Sequence, residues 1–324
     1  MNDMSVPGNS RDKKSDGVLW ENRDMRKRSK AVKKTGRAVC AAPVLCAALL
    51  LAACAGQDAS VVQGGQDAPA VQDGDWLAER TERDRRTKQD LRTEPEDMEK
   101  TERVDLDACE NGKVILSGGG DIWLSGSLEG QVVIDAEEDE LVHLYLAGVG
   151  ITSPNGPALW TRAASKLVVT LVSGTENILT DSPDYTDYED SPACLYSVCD
   201  LTVNGDGALQ VFAYHEDGVR SKDRIRLLDG TLSVQAKGDG IRGNDGIYIQ
   251  EAFVDIESEK NGLRTVNQGA DDRGVIEING GSLSVVAGQN GVSAASDLYL
   301  YHGRYSVNAV EERMRAEGTA YIAE

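Results

Sequence analysis

The sequence predicts an all-β fold, a right-handed parallel β-helix with about 22 residues and three strands per coil. Three observations carry that prediction. First, residues 217–226 (DGVRSKDRIR) return at 239–249 (DGIRGNDGIYI), 261–265 (NGLRT), 290–300 (NGVSAASDLYL) and 313–322 (RMRAEGTAYI). Gly218, Gly240, Gly262 and Gly291 mark one slot and Arg313 takes it in the last copy, at spacings of 22, 22, 29 and 22 residues. The long step is one repeat enlarged by the polar run 267–273 (NQGADDR). Second, each copy holds short pieces, such as 218–221, 224–227 and 231–234, in which apolar residues alternate, the period of a strand with one buried face. Third, stacking the copies aligns like with like. Val219, Ile241, Leu263, Val292 and Met314 share one slot, and Ile225, Ile247, Ile276 and Leu298 a second. Leu232, Val254, Leu283 and Tyr305 share a third, and Val234, Ile256, Val285 and Val307 a fourth. One copy cannot bury such a face, whereas neighbours stacked ~4.8 Å apart can. A leucine-rich framework and a helical 3.6-residue period are both absent.

Taken in order, the 324 residues divide into four stretches. Residues 1–24 are polar and unpatterned and read as an upstream extension before a start at Met25. Residues 25–53 join a basic segment to the apolar run 38–51 and end in Leu51-Ala52-Ala53 before Cys54. This pattern is a secretory signal, shorter than the ~20 apolar residues of a spanning helix. It resembles the processing box of bacterial lipoproteins, which implies a diacylglyceryl group on Cys54 and a membrane-anchored, extracytoplasmic protein. Residues 54–103 are poor in apolar side chains and dense in mixed charge, so they read as a disordered, flexible tether. Residues 104–324 form the repeat domain.

The chain carries 34 basic and 54 acidic residues, a net charge of −20. The basic signal hides an even more acidic remainder. Such a surface disfavours nucleic acid and favours divalent cations. Beyond the signal and Cys54, the cysteines are Cys109, Cys194 and Cys199; one pair could form a disulfide, and the pairing is not readable. No CxxC spacing is present, which argues against zinc.

Earlier in the domain the pattern is looser, but several blocks are specific. VVIDAEEDELVHLYLAGVGITSPNGPALW, LVSGTENILTDSPDYTDYEDSPACLYSVCDLTVNGDG, HEDGVRSKD and KGDGIRGNDGIYI resemble a bacterial carbohydrate-binding domain-containing family, in order, across about residues 104–310. The resemblance implies secreted or lipid-anchored parallel β-helices that bind calcium and attach to plant or other acidic polysaccharides. Cys194 and Cys199 depart from its pattern, standing where small or polar residues are usual, and Gln250-Glu251-Ala252 replaces a usual Gly-Gly.

Three groups of residues are candidates for a site. The position after the first buried slot holds Trp160, Tyr196, Arg220, Arg242, Arg264, Ser293 and Arg315, and alternation turns it outward. Guanidiniums one strand apart repel by ~1 kcal/mol in water and more where it is dry. They require interleaved carboxylates, from the protein or from a ligand. A basic ladder beside aromatic residues suits a uronic-acid chain, because arginine grips carboxylates bidentately. The alternative is a self-satisfied ladder paired with Asp217, Asp239 and Glu312. The second group is the turn column Asp217, Asp239, Asn261 and Asn290, with Asp223 and Asp245 six residues after the two aspartates, and Asp271 and Asp272 in the insertion. Stacked carboxylates suit Ca²⁺, which takes six to eight hard oxygens; the alternative is local turn bonding. The third is the loop 181–190, with Asp184 and Asp187 as further calcium candidates and Tyr185 and Tyr188 beside them.

Catalytic pairings are not recognisable around His143, His215 or His302, and GxSxG is absent. The expectation is a non-catalytic surface lipoprotein that binds polysaccharide, acidic and pectin-like or cellulose, with calcium. The rivals are a pectate-lyase-like enzyme, with Arg220 or Arg242 as base, and an adhesion or scaffold protein with protein partners.

Overall fold

The computed structural model describes residues 84–110, 112–186, 193–269 and 272–323. Among the described residues, twenty-two strands join in one hydrogen-bonded set, and every pairing is parallel. A narrow sheet holds Asp217–Ser221, Ile241–Gly243, Leu263–Arg264, Val292–Ala294 and Met314–Ala316 in succession. A broad sheet holds the intervening strands, such as Arg224–Leu227 and Thr231–Ala236.

Register follows the repeat. Val219 pairs with Ile241, Ile241 with Leu263, Leu263 with Val292 and Val292 with Met314. The first four of these are fully buried, as are Ile225, Ile247 and Ile276 in the next column. Each such side chain contributes roughly 1.5–3 kcal/mol of transfer free energy. The repeat glycines serve close packing. A Cβ on Gly240 would lie 2.3 Å from Ile256 Cγ2 and 2.8 Å from the Gly262 carbonyl, and Gly262 and Gly291 meet Val285 and Val307 in the same way.

This architecture corrects the fold expected from the sequence, a right-handed parallel β-helix solenoid of three strands per coil behind a disordered tether. Ten strands close into a parallel β-barrel and twelve lie outside it, with one apolar core cluster among the described residues. Gly120–Asp135, Leu141–Thr152, Val275–Ala287 and Leu298–Ala309 run unbroken for 16, 12, 13 and 12 residues. Irregularities between Leu124 and Gly126 and between Ile278 and Ser282 keep pairing alive through the bends, the usual effect of a bulge. Counting slots does not register strands that turn a corner without stopping. The disordered tether expected at 54–103 is corrected for 84–103, and 54–83 lie outside the described residues. From Asp84 onward the chain lies against the broad sheet, Asp90 is fully buried, and Glu102–Asp105 is already a strand.

The three described cysteines, Cys109, Cys194 and Cys199, are free thiols. No helix among the described residues is long and apolar enough to cross a membrane. Residues 1–24, the signal at 25–53 and Cys54 lie outside the described residues.

Candidate functional site

The expected outward column is present on the narrow sheet. Trp160 pairs with Tyr196, Tyr196 with Arg220, Arg220 with Arg242, Arg242 with Arg264, Arg264 with Ser293, and Ser293 with Arg315. Exposure rises along it, from 16% for the Arg220 side chain to 21% for Arg242, 39% for Arg264 and 46% for Arg315.

Carboxylates interleave the guanidiniums at loose distances. Asp217 Oδ2 lies 3.5 Å from Arg220 Nη1 and 3.9 Å from Arg242 Nη1. Asp239 Oδ2 lies 4.0 Å from Arg242 Nη1 and 3.3 Å from Arg264 Nη1. Two carboxylates therefore serve three cations, none held in a two-pronged grip. The Nε atoms of Arg220 and Arg242 are buried without a partner among the described residues. Burial lowers the pKa of Arg242, and the neighbouring Arg220 adds to the effect. Burial raises the Asp217 carboxyl to about 6, reinforced by the charge of Asp239.

The two aromatics of the column differ. Tyr196 is 2% exposed and lies beneath the Arg220 guanidinium, 5.9 Å from its ring centre, so it acts as a floor rather than a sugar platform. Trp160 remains half-buried, with Arg162 over its ring at 5.6 Å.

The turn column reads as local bonding. Asp217 Oδ1 accepts the Asp239 N–H at 2.8 Å, and Asp239 Oδ1 accepts the Asn261 N–H at 3.1 Å and its side-chain amide at 2.7 Å. Asn261 Oδ1 accepts the Asn290 amide at 2.9 Å. Each Asx side chain ties one turn to the next.

The acids expected to hold calcium do not converge among the described residues, where no group of three or more potential ligands forms a metal site. Asp217 and Asp239 face arginines. Asp245 accepts from Asn267 and faces Arg273 at 3.6 Å, while Asp272 pairs with Arg224 at 2.7 Å and with Arg85. Asp223 is raised by burial and by the nearby charges of Asp200 and Asp245. Asp184 is exposed on its loop, and Asp187 and Asp271 lie outside the described residues. On that loop Tyr185 donates to Asp181 Oδ2 at 2.7 Å and stacks on His215 at 3.9 Å.

His143 is buried, bonded to Thr170 Oγ1 at 2.7 Å and stacked on Tyr145. Burial, aided by Arg92, pushes its pKa down to about 4. Sequence reasoning missed Lys166, Thr202, Asn204 and Arg226, which line the outer face of the broad sheet. The only signal was two arginines flanking Ile225 in a strand pattern.

A parallel β wall carrying a ladder of loosely paired guanidiniums defines a class by its architecture, repeat-built all-β proteins. The chain belongs to the carbohydrate-binding domain-containing protein family, whose model matches residues 110–321. A relative of that description from Acetivibrio thermocellus is 34% identical over 201 residues, covering 60% of this chain and 70% of the relative. A solved polysaccharide lyase-like protein from C. thermocellum, a gadolinium derivative, is 25% identical with a TM-score of 0.65, over 68% of this chain and 96% of that one. The likeness supports the all-β wall in place of the open solenoid.

Proposed function

We propose that the protein binds acidic polysaccharide along the arginine ladder without cleaving it. The observation that carries this is the shared, one-sided pairing of Arg220, Arg242 and Arg264 with Asp217 and Asp239. Guanidiniums held at 3.3–4.0 Å leave donor edges for ligand carboxylates, which arginine grips more closely and in pairs. Rungs ~4.8 Å apart repeat at about the scale of a sugar residue, so weak contacts sum along one chain. Family membership supports a carbohydrate as the ligand.

The test is depletion of polygalacturonate and cellulose from solution, wild type against Arg220→Ala plus Arg242→Ala. Retention of polygalacturonate that the double variant loses supports the reading, and equal retention by both defeats it. A chelator arm reads the proposed support by calcium, which rests on the acidic composition.

A second reading, β-elimination by a lyase, has one observation in its favour: the lowered pKa of Arg242 beside a carboxylate. The polysaccharide lyase-like neighbour is compatible with it. Ultraviolet absorbance from new unsaturated ends would establish cleavage, and unchanged polymer length supports binding alone. Anchoring at the cell surface through Cys54 is proposed from residues 25–54 and is read by loss of detergent-phase partition in Cys54→Ser.

A further inference from the structure

Residues 84–96 hold to the broad sheet by polar contacts. The Asp90 carboxylate, fully buried, accepts from Lys166 Nζ at 2.7 Å, Thr202 Oγ1 at 2.6 Å, and the Thr87 N–H and hydroxyl at 2.6 and 2.8 Å. Asn204 Nδ2 donates to the carbonyls of Asp90 and Arg92 at 2.8 and 2.9 Å. Arg226 Nε donates to the Asp84 carbonyl at 2.6 Å, and Arg92 grips Asp121 with two nitrogens. The segment's one leucine, Leu91, faces away and is 58% exposed.

Around Asp90 the wall donates through an ammonium, a guanidinium, a hydroxyl and an amide, while at the segment's flanks it accepts through Asp121 and Gln250, and Arg226 Nη2 also holds Asp200 at 2.9 Å. To those donors the segment gives a carboxylate and carbonyl oxygens, and to the flanking acceptors the guanidiniums of Arg92 and Arg86. A uronic-acid chain offers carboxylates and hydroxyls, the same acceptor chemistry. The segment does not satisfy the site fully, because Arg226 is fully buried and its Nη1 has no partner among the described residues. Nor does the outward row stop there. Past Arg226 it continues through the buried Tyr248 and Glu277 to the half-buried Tyr299 and Tyr321, with Tyr299 and Tyr301 stacked at 6.0 Å. Aromatic rings suit sugar faces, so a glycan lying on this end would run into the cationic part that the segment covers.

We propose that the outer face of the broad sheet is a second groove for carboxylate-bearing glycan, and that residues 84–96 occupy it as an exchangeable strap. The proposal rests on the glycan-binding reading above. Lys166, Thr202, Asn204 and Arg226 take the ligand's carboxylates and hydroxyls once the strap leaves. A contact made by charge and hydrogen bonds, with its only leucine outside, exchanges more readily than a hydrophobic one.

The test is hydrogen exchange on the full chain with an oligogalacturonate as probe and a neutral cello-oligosaccharide as control. The expected result is faster exchange across 84–96 when oligogalacturonate is added, and not with the control. Asp90→Ala is expected to speed that exchange without ligand and to tighten oligogalacturonate binding by the same factor by which the exchange shows the strap-open fraction to rise. If Asp90→Ala does not fold, Thr87→Val removes one strap bond more gently and is expected to act in the same direction. Combining Asp90→Ala with Arg220→Ala and Arg242→Ala separates the two readings. Residual binding that Arg226→Met then abolishes supports the groove. A loosened strap with unchanged affinity, or ligand binding that leaves exchange at 84–96 untouched, overturns the strap while sparing the ladder. No binding by any form overturns both.

Discussion

Acidification from about pH 7.5 to about pH 5 is expected to tighten polygalacturonate binding, with Asp217 as the cause. Its carboxyl is raised from 3.8 to about 6, first by burial and then by Asp239. At the higher pH it is an anion that competes with the ligand for Arg220 and Arg242. At the lower pH it is mostly neutral, while a sugar carboxylate remains ionised. Opposite charges ~4 Å apart attract by ~1 kcal/mol in water and ~4 at an intermediate dielectric. These guanidiniums are partly exposed, so the low figure applies and the gain is about fivefold. Stability moves in the same direction. A raised carboxyl favours the folded state below its unfolded pKa, and that contribution fades as pH rises through about 6. Two pKa units correspond to ~3 kcal/mol, an upper bound. The assay is calorimetric titration across that range with wild type and Asp217→Asn, whose side chain matches the Asn261 and Asn290 rungs. Wild type is expected to tighten on acidification and the variant to stay flat. Binding that weakens on acidification, or a variant with the wild-type profile, refutes the reasoning.

Three further outcomes follow from the same geometry. Ile241→Ala empties a fully buried slot between two stacked neighbours and is expected to cost about 3 kcal/mol by urea unfolding. Gly240→Ala places a methyl 2.3 Å from Ile256 and is expected to cost about 2 kcal/mol, with Ile256→Ala in the same chain restoring part of it. The His143 ring, held neutral down to about 4, is expected to show no NMR titration between about pH 5 and 8.

The repeat columns were legible because a parallel ladder puts identical slots in contact. Once Gly218, Gly240, Gly262 and Gly291 are counted, the neighbours of Val219 and Arg220 follow, and the register agrees. Alternation gave the side on which Arg220 and Tyr196 stand but not what covers them. Tyr196 is buried because the longer Arg220 side chain folds over it. The pairing of Asp217 and Asp239 with the arginine ladder was legible as one of two readings, but the distant partners of other acids were not. Asp272 meets Arg224 across 48 residues of chain and Asp90 meets Lys166 across 76. No local pattern encodes such pairs. Residues 84–96 read as tether because composition reports missing apolar surface, and their hold on the wall needs none. The corners were illegible for another reason: an irregular pair inside Val275–Ala287 carries bonding round a bend that slot counting takes for a break.

The most direct measurement follows the arginine Nε–Hε signals of Arg220, Arg242 and Arg264 by NMR during an oligogalacturonate titration. Saturable shifts of all three along one binding curve, absent with a neutral sugar, are the predicted result. Ladder signals that stay still while the ligand binds elsewhere on the wall would contradict it.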